Sequence, residues 1–143
     1  MFPRMLLSVA SLVLLTVVTL PGCGPKRPET VPVSGTITYG GGPWPAEATL
    51  IFSCEKPADG FPRRPGIAFV ATDGSFTVGT FENKGDGLMP GKYRVHVSCE
   101  ETVNGKTVSH VPAKYQVGAT SGLELTVEPG GPPVFVEWDV PRK

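Results

Sequence analysis

Hydrophobic and polar residues alternate along most of the chain after residue 30. The clearest alternation lies in residues 92–99, with apolar side chains at Tyr93, Val95, Val97 and Cys99 and polar ones at Arg94, His96 and Ser98. A period of two places successive side chains on opposite faces of a β-strand. We therefore predict a strand with one face in a core and the other in water.

Seven runs of this kind are predicted to be strands, because each is bounded by Gly, Pro or Asp. They cover residues 31–39, 48–53, 66–72, 75–80, 91–99, 123–127 and 134–140. No proline-free stretch has apolar residues at helical spacing over three turns, so no core helix is expected. The Asp73-Gly74 pair predicts a tight hairpin, since it tolerates positive φ. Seven short strands favour an all-β sandwich, in which two sheets bury their apolar faces against each other.

The N-terminal segment has the outline of a signal peptide, predicted over residues 1–22. A short basic start at residues 1–4 precedes an uncharged run of 16 residues at positions 5–20. This order of a positive start and an apolar stretch is typical of secretory signals. A spanning helix needs about 20 apolar residues, so the run is short for a transmembrane anchor, which is the alternative interpretation.

The end of this segment resembles the lipobox of bacterial lipoproteins. In Leu20-Pro21-Gly22-Cys23, the Leu, Gly and Cys match that motif and Pro21 departs from it. The resemblance implies that the Cys23 thiol is acylated and that cleavage makes Cys23 the first residue. Because each buried CH₂ of an acyl chain contributes about 0.8 kcal/mol, several chains hold a protein on a bilayer. We expect a peripheral membrane protein of the cell envelope that faces the periplasm or the exterior.

Residues 23–32 are predicted to form a tether between the lipid and a domain at residues 31–143. Residues 24–32 contain three prolines and no apolar period. Such a segment is stiff and extended at about 3 Å per residue, which would lift the domain about 30 Å from the lipid. Lys26 and Arg27 are interpreted as part of a solvated linker, with contact to anionic head groups as the alternative.

Composition limits the chain to one domain and excludes some function classes. Its 143 residues include 13 Lys+Arg and 13 Asp+Glu, so the formal net charge is zero. A chain of this length forms one domain, not a multidomain enzyme. Without a basic surplus, nucleic acid is not an expected partner. Gly (18) and Pro (16) are abundant, but 40% of the residues are hydrophobic, which fits a compact and turn-rich β domain.

Several motifs together resemble a known family. Residues 33–37 (VSGTI), 72–76 (TDGSF) and 90–93 (PGKY) resemble the carboxypeptidase regulatory-like, or transthyretin-like, β-sandwich. Residues 111–115 (VPAKY) and 135–138 (FVEW) look like those of small planctomycete lipoproteins with this domain. The resemblance covers residues 31–140. It implies a seven-stranded transthyretin-like sandwich that is non-catalytic and whose partners are largely unknown.

Cys54 and Cys99 remain if Cys23 is acylated. An exported protein favours disulfides, and both residues share the parity of core positions. However, three chain reversals separate their strands, which would place them at opposite ends of the domain, whereas bridged Cα atoms lie within about 7 Å. We interpret them as two buried or half-buried thiols, with a disulfide as the alternative.

The sequence contains no constellation of residues that identifies a reaction. His96 and His110 do not form a zinc-binding motif, which excludes a zinc peptidase. Glu100 and Glu101 are adjacent, so on a strand they would point to opposite faces. Ser121 is interpreted as a turn residue, because its flanking glycines lack the spacing of a nucleophile elbow. No catalytic residue, cofactor or metal is expected.

Two loops contain candidate ligand-binding residues. Phe61, Arg63 and Arg64 lie on a proline-constrained loop where they could stack on a sugar or pair with an anionic polymer. Trp44 lies between two prolines and is either a loop anchor, which we prefer, or a stacking platform.

We predict a non-catalytic lipoprotein that serves as a binding or structural module, with an envelope protein or a polysaccharide as partner. One alternative is a carbohydrate-binding module, which predicts exposure of Trp44 or Phe61. The other is a cryptic hydrolase, which predicts His96 or His110 beside a carboxylate in a pocket.

Overall fold

The computed structural model describes Gly22, Gly24 and residues 26–81 and 85–143. Cys23 and the predicted signal peptide, apart from Gly22, lie outside the described residues. Among the described residues, no helix has the length and apolar character needed to cross a membrane.

Eight strands and two single helical turns make up the described part of the chain. The strands are β1 (Val33–Tyr39), β2 (Ala48–Pro57), β3 (Gly66–Phe69), β4 (Ser75–Thr77), β5 (Gly91–Val103), β6 (Lys106–Ser109), β7 (Leu123–Val127) and β8 (Val134–Val140). A 3₁₀ turn at Ala113–Gln116 and a short helix α1 at Gly118–Ser121 connect β6 to β7. The prediction that the core lacks a helix agrees with these elements, since four residues make only one turn.

The strands form two sheets, which confirms the predicted all-β sandwich. The three-stranded sheet has the order β4-β1-β8, with β1 parallel to β8. The larger sheet has the order β3-β2-β5-β6, and β7 also pairs with β5. β7 and β6 pair with successive parts of β5, at Gly91–Val95 and Glu100–Val103.

The predicted alternation is present in the strands that build the core. In β5, Tyr93, Val95, Val97 and Cys99 are all buried, as the period of two predicts. Between the sheets, the Phe52 ring from β2 lies 6.3 Å from the Phe76 ring and 6.4 Å from the Trp138 ring, centroid to centroid. These three aromatic residues join the two sheets at the centre of the domain.

The predicted count of seven strands is wrong, because β5 continues past Cys99 and turns back as β6. The turn lies at Asn104 and Gly105, whose φ angles are 52° and 75°. Positive φ at both central residues is the geometry that an Asn-Gly hairpin requires.

The turn at Asp73-Gly74 forms as predicted, with a φ of 85° at Gly74. The Asp73 carboxylate accepts a hydrogen bond from the Ser75 N–H at 2.9 Å. The strands on either side of this turn belong to different sheets, since β3 pairs with β2 and β4 pairs with β1. The predicted hairpin nevertheless forms around the turn, because the Ala71 N–H donates to the Ser75 carbonyl at 2.8 Å, and Ile67 and Gly79 exchange two backbone hydrogen bonds of 2.9 Å. The hairpin therefore connects the two sheets at this edge of the sandwich.

Candidate functional site

The chain enters the sandwich at one end, which we call the tether pole. Its segments are residues 26–32, 57–65, 78–81, 85–90 and 128–133, which precede or follow the strands at that end. Val31 and Leu88 exchange backbone hydrogen bonds of 2.8 and 3.0 Å. The Pro32 carbonyl accepts a further bond of 2.9 Å from the Val134 N–H, so the chain is held at this pole before β1 begins.

Residues of the predicted tether also pack on the tether pole. The Glu29 carboxylate accepts a hydrogen bond of 2.7 Å from the Gly130 N–H. The Arg27 guanidinium lies 5.7 Å from the centre of the Phe81 ring. Only four steps of chain separate Cys23 from Arg27, and these span at most about 14 Å when extended. The expected lift of about 30 Å is therefore too long for a lipid on Cys23.

Three of the four predicted ligand-binding residues lie at the tether pole. Phe61 is half-buried, and its N–H donates to the Ala58 carbonyl at 3.0 Å. Arg63 and Arg64 are exposed, and the Arg64 guanidinium lies 5.2 Å from the centre of the Phe81 ring. A cation held over an aromatic face is stabilised by the ring quadrupole. The Arg64 guanidinium is thus already in contact with an aromatic residue of this protein.

Trp44 lies at the opposite end, the distal pole, which comprises residues 40–47, 70–74 and 110–122. Its indole N–H donates to the Ile37 carbonyl at 3.0 Å, and its ring lies 5.0 Å from the Tyr39 ring. The side chain is half-buried against the core, as the loop-anchor interpretation predicts. The seven residues of β1 span about 23 Å. The structure therefore does not bring Trp44 together with Phe61.

Cys54 and Cys99 are both free and buried, so the disulfide alternative is wrong. In the pairing of β2 with β5, Cys54 stands opposite Tyr93, and Ala48 stands opposite Cys99. The two thiols are thus six residue pairs apart, about 20 Å along the ladder. Burial raises the pKa of both thiols above its ordinary value, although the charge of Arg63 partly offsets this for Cys54.

One histidine has a carboxylate partner, which is part of what the hydrolase alternative predicts. His110 Nε2 lies 3.1 Å from Glu101 Oε2. The His110 side chain is half-buried, and the Glu101 side chain is exposed. The contact forms because β6 returns along β5, which the Asn-Gly pair at residues 104–105 would have signalled. The backbone of His110 lies beside Cys99 of β5, since the His110 N–H donates to the Cys99 carbonyl at 2.9 Å. The Cys99 thiol is fully buried and donates to the Ala46 carbonyl at 3.6 Å.

His96 faces a shallow depression of about 200 Å³ that Ser98 and Glu100 also line. These residues occupy every second position of β5, so the Cα atoms of successive ones lie about 7 Å apart. None of the hydrogen bonds among the described residues joins the His96 ring to either of them. In the described part of the chain, His96 and Ser98 are thus not joined as a hydrogen-bonded base and nucleophile.

Ser121 is a buried structural residue at the end of α1. Its hydroxyl donates to the Val95 carbonyl at 2.5 Å and accepts from the Leu123 N–H at 3.1 Å. The side chain is only 2% exposed. It therefore holds the turn that leads into β7 against the middle of β5, which agrees with its interpretation as a turn residue.

We expect Ser121→Ala to lower the free energy of unfolding by about 1–3 kcal/mol, because it leaves a buried carbonyl and a buried N–H without a partner. Chemical denaturation of the full chain measures the change. Thr120→Ala is the matched control, since the Thr120 hydroxyl donates to the Lys114 carbonyl at an exposed site. Equal losses in the two variants would contradict the role given to Ser121.

Neither a metal nor a known relative defines this site. Among residues 26–81 and 85–143, no three His, Cys, Asp or Glu side chains are placed to hold a metal ion. No protein family, curated protein or solved structure matches the chain. Function is therefore inferred from the arrangement of the two poles and of the sheet faces between them.

Proposed function

We propose that this protein is a non-catalytic lipoprotein of the cell envelope, held on a membrane by acylated Cys23, with its β-sandwich as a binding or structural module. The observation that carries the proposal is the uncharged run at residues 5–20 that leads directly into Leu20-Pro21-Gly22-Cys23. The two-sheet, all-β domain also supports the transthyretin-like relationship that the sequence motifs imply.

The packing of residues 27–32 determines how such a module would stand on the lipid. With at most about 14 Å of chain between Cys23 and Arg27, the tether pole faces the bilayer closely. Arg63 and Arg64 are exposed at this pole, where they would reach anionic head groups. The described residues of this pole carry four basic side chains (Lys26, Arg27, Arg63 and Arg64) and four acidic ones (Glu29, Asp59, Asp86 and Glu128). The net attraction to anionic lipid is therefore small, and the acyl chains supply the membrane affinity. The distal pole and the flanks of the sandwich face away from the lipid.

Partitioning into detergent tests the lipid anchor. We expect the parent, expressed in a bacterial host with its signal, to enter the detergent phase of a Triton X-114 extract. Cys23→Ser removes the thiol that carries the lipid, so this variant moves to the aqueous phase or remains uncleaved. Cys54→Ala is the matched control, because it removes a thiol within the domain and leaves Cys23 unchanged. A Cys23→Ser variant that is processed and partitions as the parent does would refute the proposal.

A hydrolase is the weaker proposal. The contact between His110 and Glu101 favours it, because a carboxylate orients an imidazole in many hydrolases. However, among the described residues no hydroxyl or thiol is hydrogen-bonded to the His110 ring, and the Cys99 thiol is fully buried with a raised pKa. A reactive cysteine instead has a lowered pKa and some exposure.

A further inference from the structure

Two phenylalanines project from the sandwich and border one groove on its flank. Phe69 and Phe135 are 62% and 63% exposed, more than the other large hydrophobic residues of the described chain. Both line a groove of about 360 Å³ that crosses β4 and β1. Exposed aromatic residues that share a concave site mark a binding surface more often than isolated ones do.

Hydroxyl groups form the floor of this groove. The antiparallel register of β1 and β4 pairs Ser34 with Thr77 and Thr36 with Ser75. Directly paired residues lie about 5 Å apart across the strands, and the two pairs follow each other at about 7 Å. On the other side of β1, Ser34 is level with Phe135 of β8. The floor is thus a two-by-two array of hydroxyls that ends at an aromatic ring.

Most of these hydroxyls are available to a ligand. Among the described residues, the side chains of Ser34, Thr36 and Thr77 make no hydrogen bond. The Ser75 hydroxyl donates to Asp73 at 2.6 Å and retains its capacity to accept. A ligand with many hydroxyls could donate to and accept from this array without displacing an internal bond.

Charge restricts the ligand further. Among the described residues, no charged side chain lines the groove. Two acidic residues lie beside it: Asp73 is hydrogen-bonded to Ser75, and Glu137 of β8 is level with Thr36 of β1. These carboxylates would repel an anionic polymer, whereas a neutral chain that donates hydrogen bonds is tolerated.

We propose that this groove binds a neutral saccharide chain. The face of an aromatic ring is electron-rich, so the polarised C–H groups of a pyranose ring stack on Phe135 and Phe69. The sugar hydroxyls then bond to the hydroxyls of the floor. The groove lies on the outer face of the β4-β1-β8 sheet and begins at the tether-pole end of β1, so a saccharide would reach it from the side of the sandwich when that pole faces the lipid. The proposal rests on the binding role proposed above, but it does not require the lipid on Cys23.

Calorimetric titration of the full chain, purified in detergent, tests this site. The probes are cellohexaose, xylohexaose, mannohexaose and chitohexaose, with hexagalacturonate as the acidic comparison. We expect at least one neutral probe to bind, and we expect Phe135→Ala and Phe69→Ala each to weaken that binding about tenfold or more. Phe135→Trp keeps an aromatic face and should retain binding.

Ile67→Ala is the matched control, because Ile67 lies on the same strand as Phe69, is 45% exposed and does not line the groove. It should bind as the parent does. The proposal is overturned if the parent binds no neutral probe, if it prefers hexagalacturonate, or if both phenylalanine variants bind normally. Cys23→Ser separates the two proposals, since it should prevent lipidation, with the change in partitioning or cleavage described above, and leave the affinity for the saccharide unchanged.

Discussion

Replacing Phe52 with alanine is expected to lower the free energy of unfolding by about 3–5 kcal/mol. Phe52 is fully buried on β2, and its ring meets Phe76 and Trp138 of the other sheet with centroids 6.3 and 6.4 Å away. Truncation removes the apolar area that joins the two sheets and leaves a cavity that neighbouring rings cannot fill. The change should appear as a large fall in the midpoint of urea denaturation.

Phe69→Ala is the control for this prediction. It removes the same atoms from a side chain that is 62% exposed, so the free energy of unfolding should change by less than about 1 kcal/mol. The same measurement shows that the variant used in the saccharide titration is folded. A similar loss of stability in the two variants would contradict the placement of Phe52 between the sheets.

Gly87→Ala is the second substitution with a large expected effect. Gly87 has a φ of 90°, and a Cβ at this position would overlap the carbonyl oxygen of Val31. The strained backbone costs about 1–2 kcal/mol, and moving the Val31 backbone costs about as much again. Since Val31 and Leu88 exchange two backbone hydrogen bonds, the substitution should also loosen the docking of the tether. We expect a loss of about 3 kcal/mol in urea denaturation.

Gly60→Ala separates the two causes. Gly60 has a similar φ of 83°, but no atom lies within 4 Å of the position that its Cβ would take. It should therefore show only the backbone cost of about 1–2 kcal/mol. If Gly60→Ala destabilises the protein as much as Gly87→Ala does, the close packing of Val31 on Gly87 is not the cause.

The period of two in the sequence was enough to predict the fold class, because the inward side chains of these strands are apolar and the outward ones polar. The runs at residues 123–127 and 134–140 agree with β7 and β8 to the residue. β6 was missed because Lys106–Ser109 is exposed along most of its length and carries no apolar face. The pairing of β3 and β4 with different sheets depends on contacts far apart in the chain, which local pattern does not encode.

The candidate groove could not be predicted from sequence for a similar reason. Phe135 shares its parity with Glu137 and Asp139, which indicates an outward face. The run at residues 66–72, however, is apolar on both parities, so parity does not say whether Phe69 is buried. The sequence instead indicated Trp44, which lies between two prolines, and Phe61, which lies on a proline-constrained loop. The structure half-buries both and separates them by the length of β1.

Mass spectrometry of the N-terminal peptide, taken from protein extracted from bacterial membranes, is the decisive test of the lipid anchor. We expect a peptide that begins at Cys23 and carries thioether-linked diacylglycerol, with residues 1–22 absent. A peptide that contains unmodified Cys23, or one that still continues into residues 1–22 in the membrane-bound protein, would show that Cys23 is not the lipidated N-terminus.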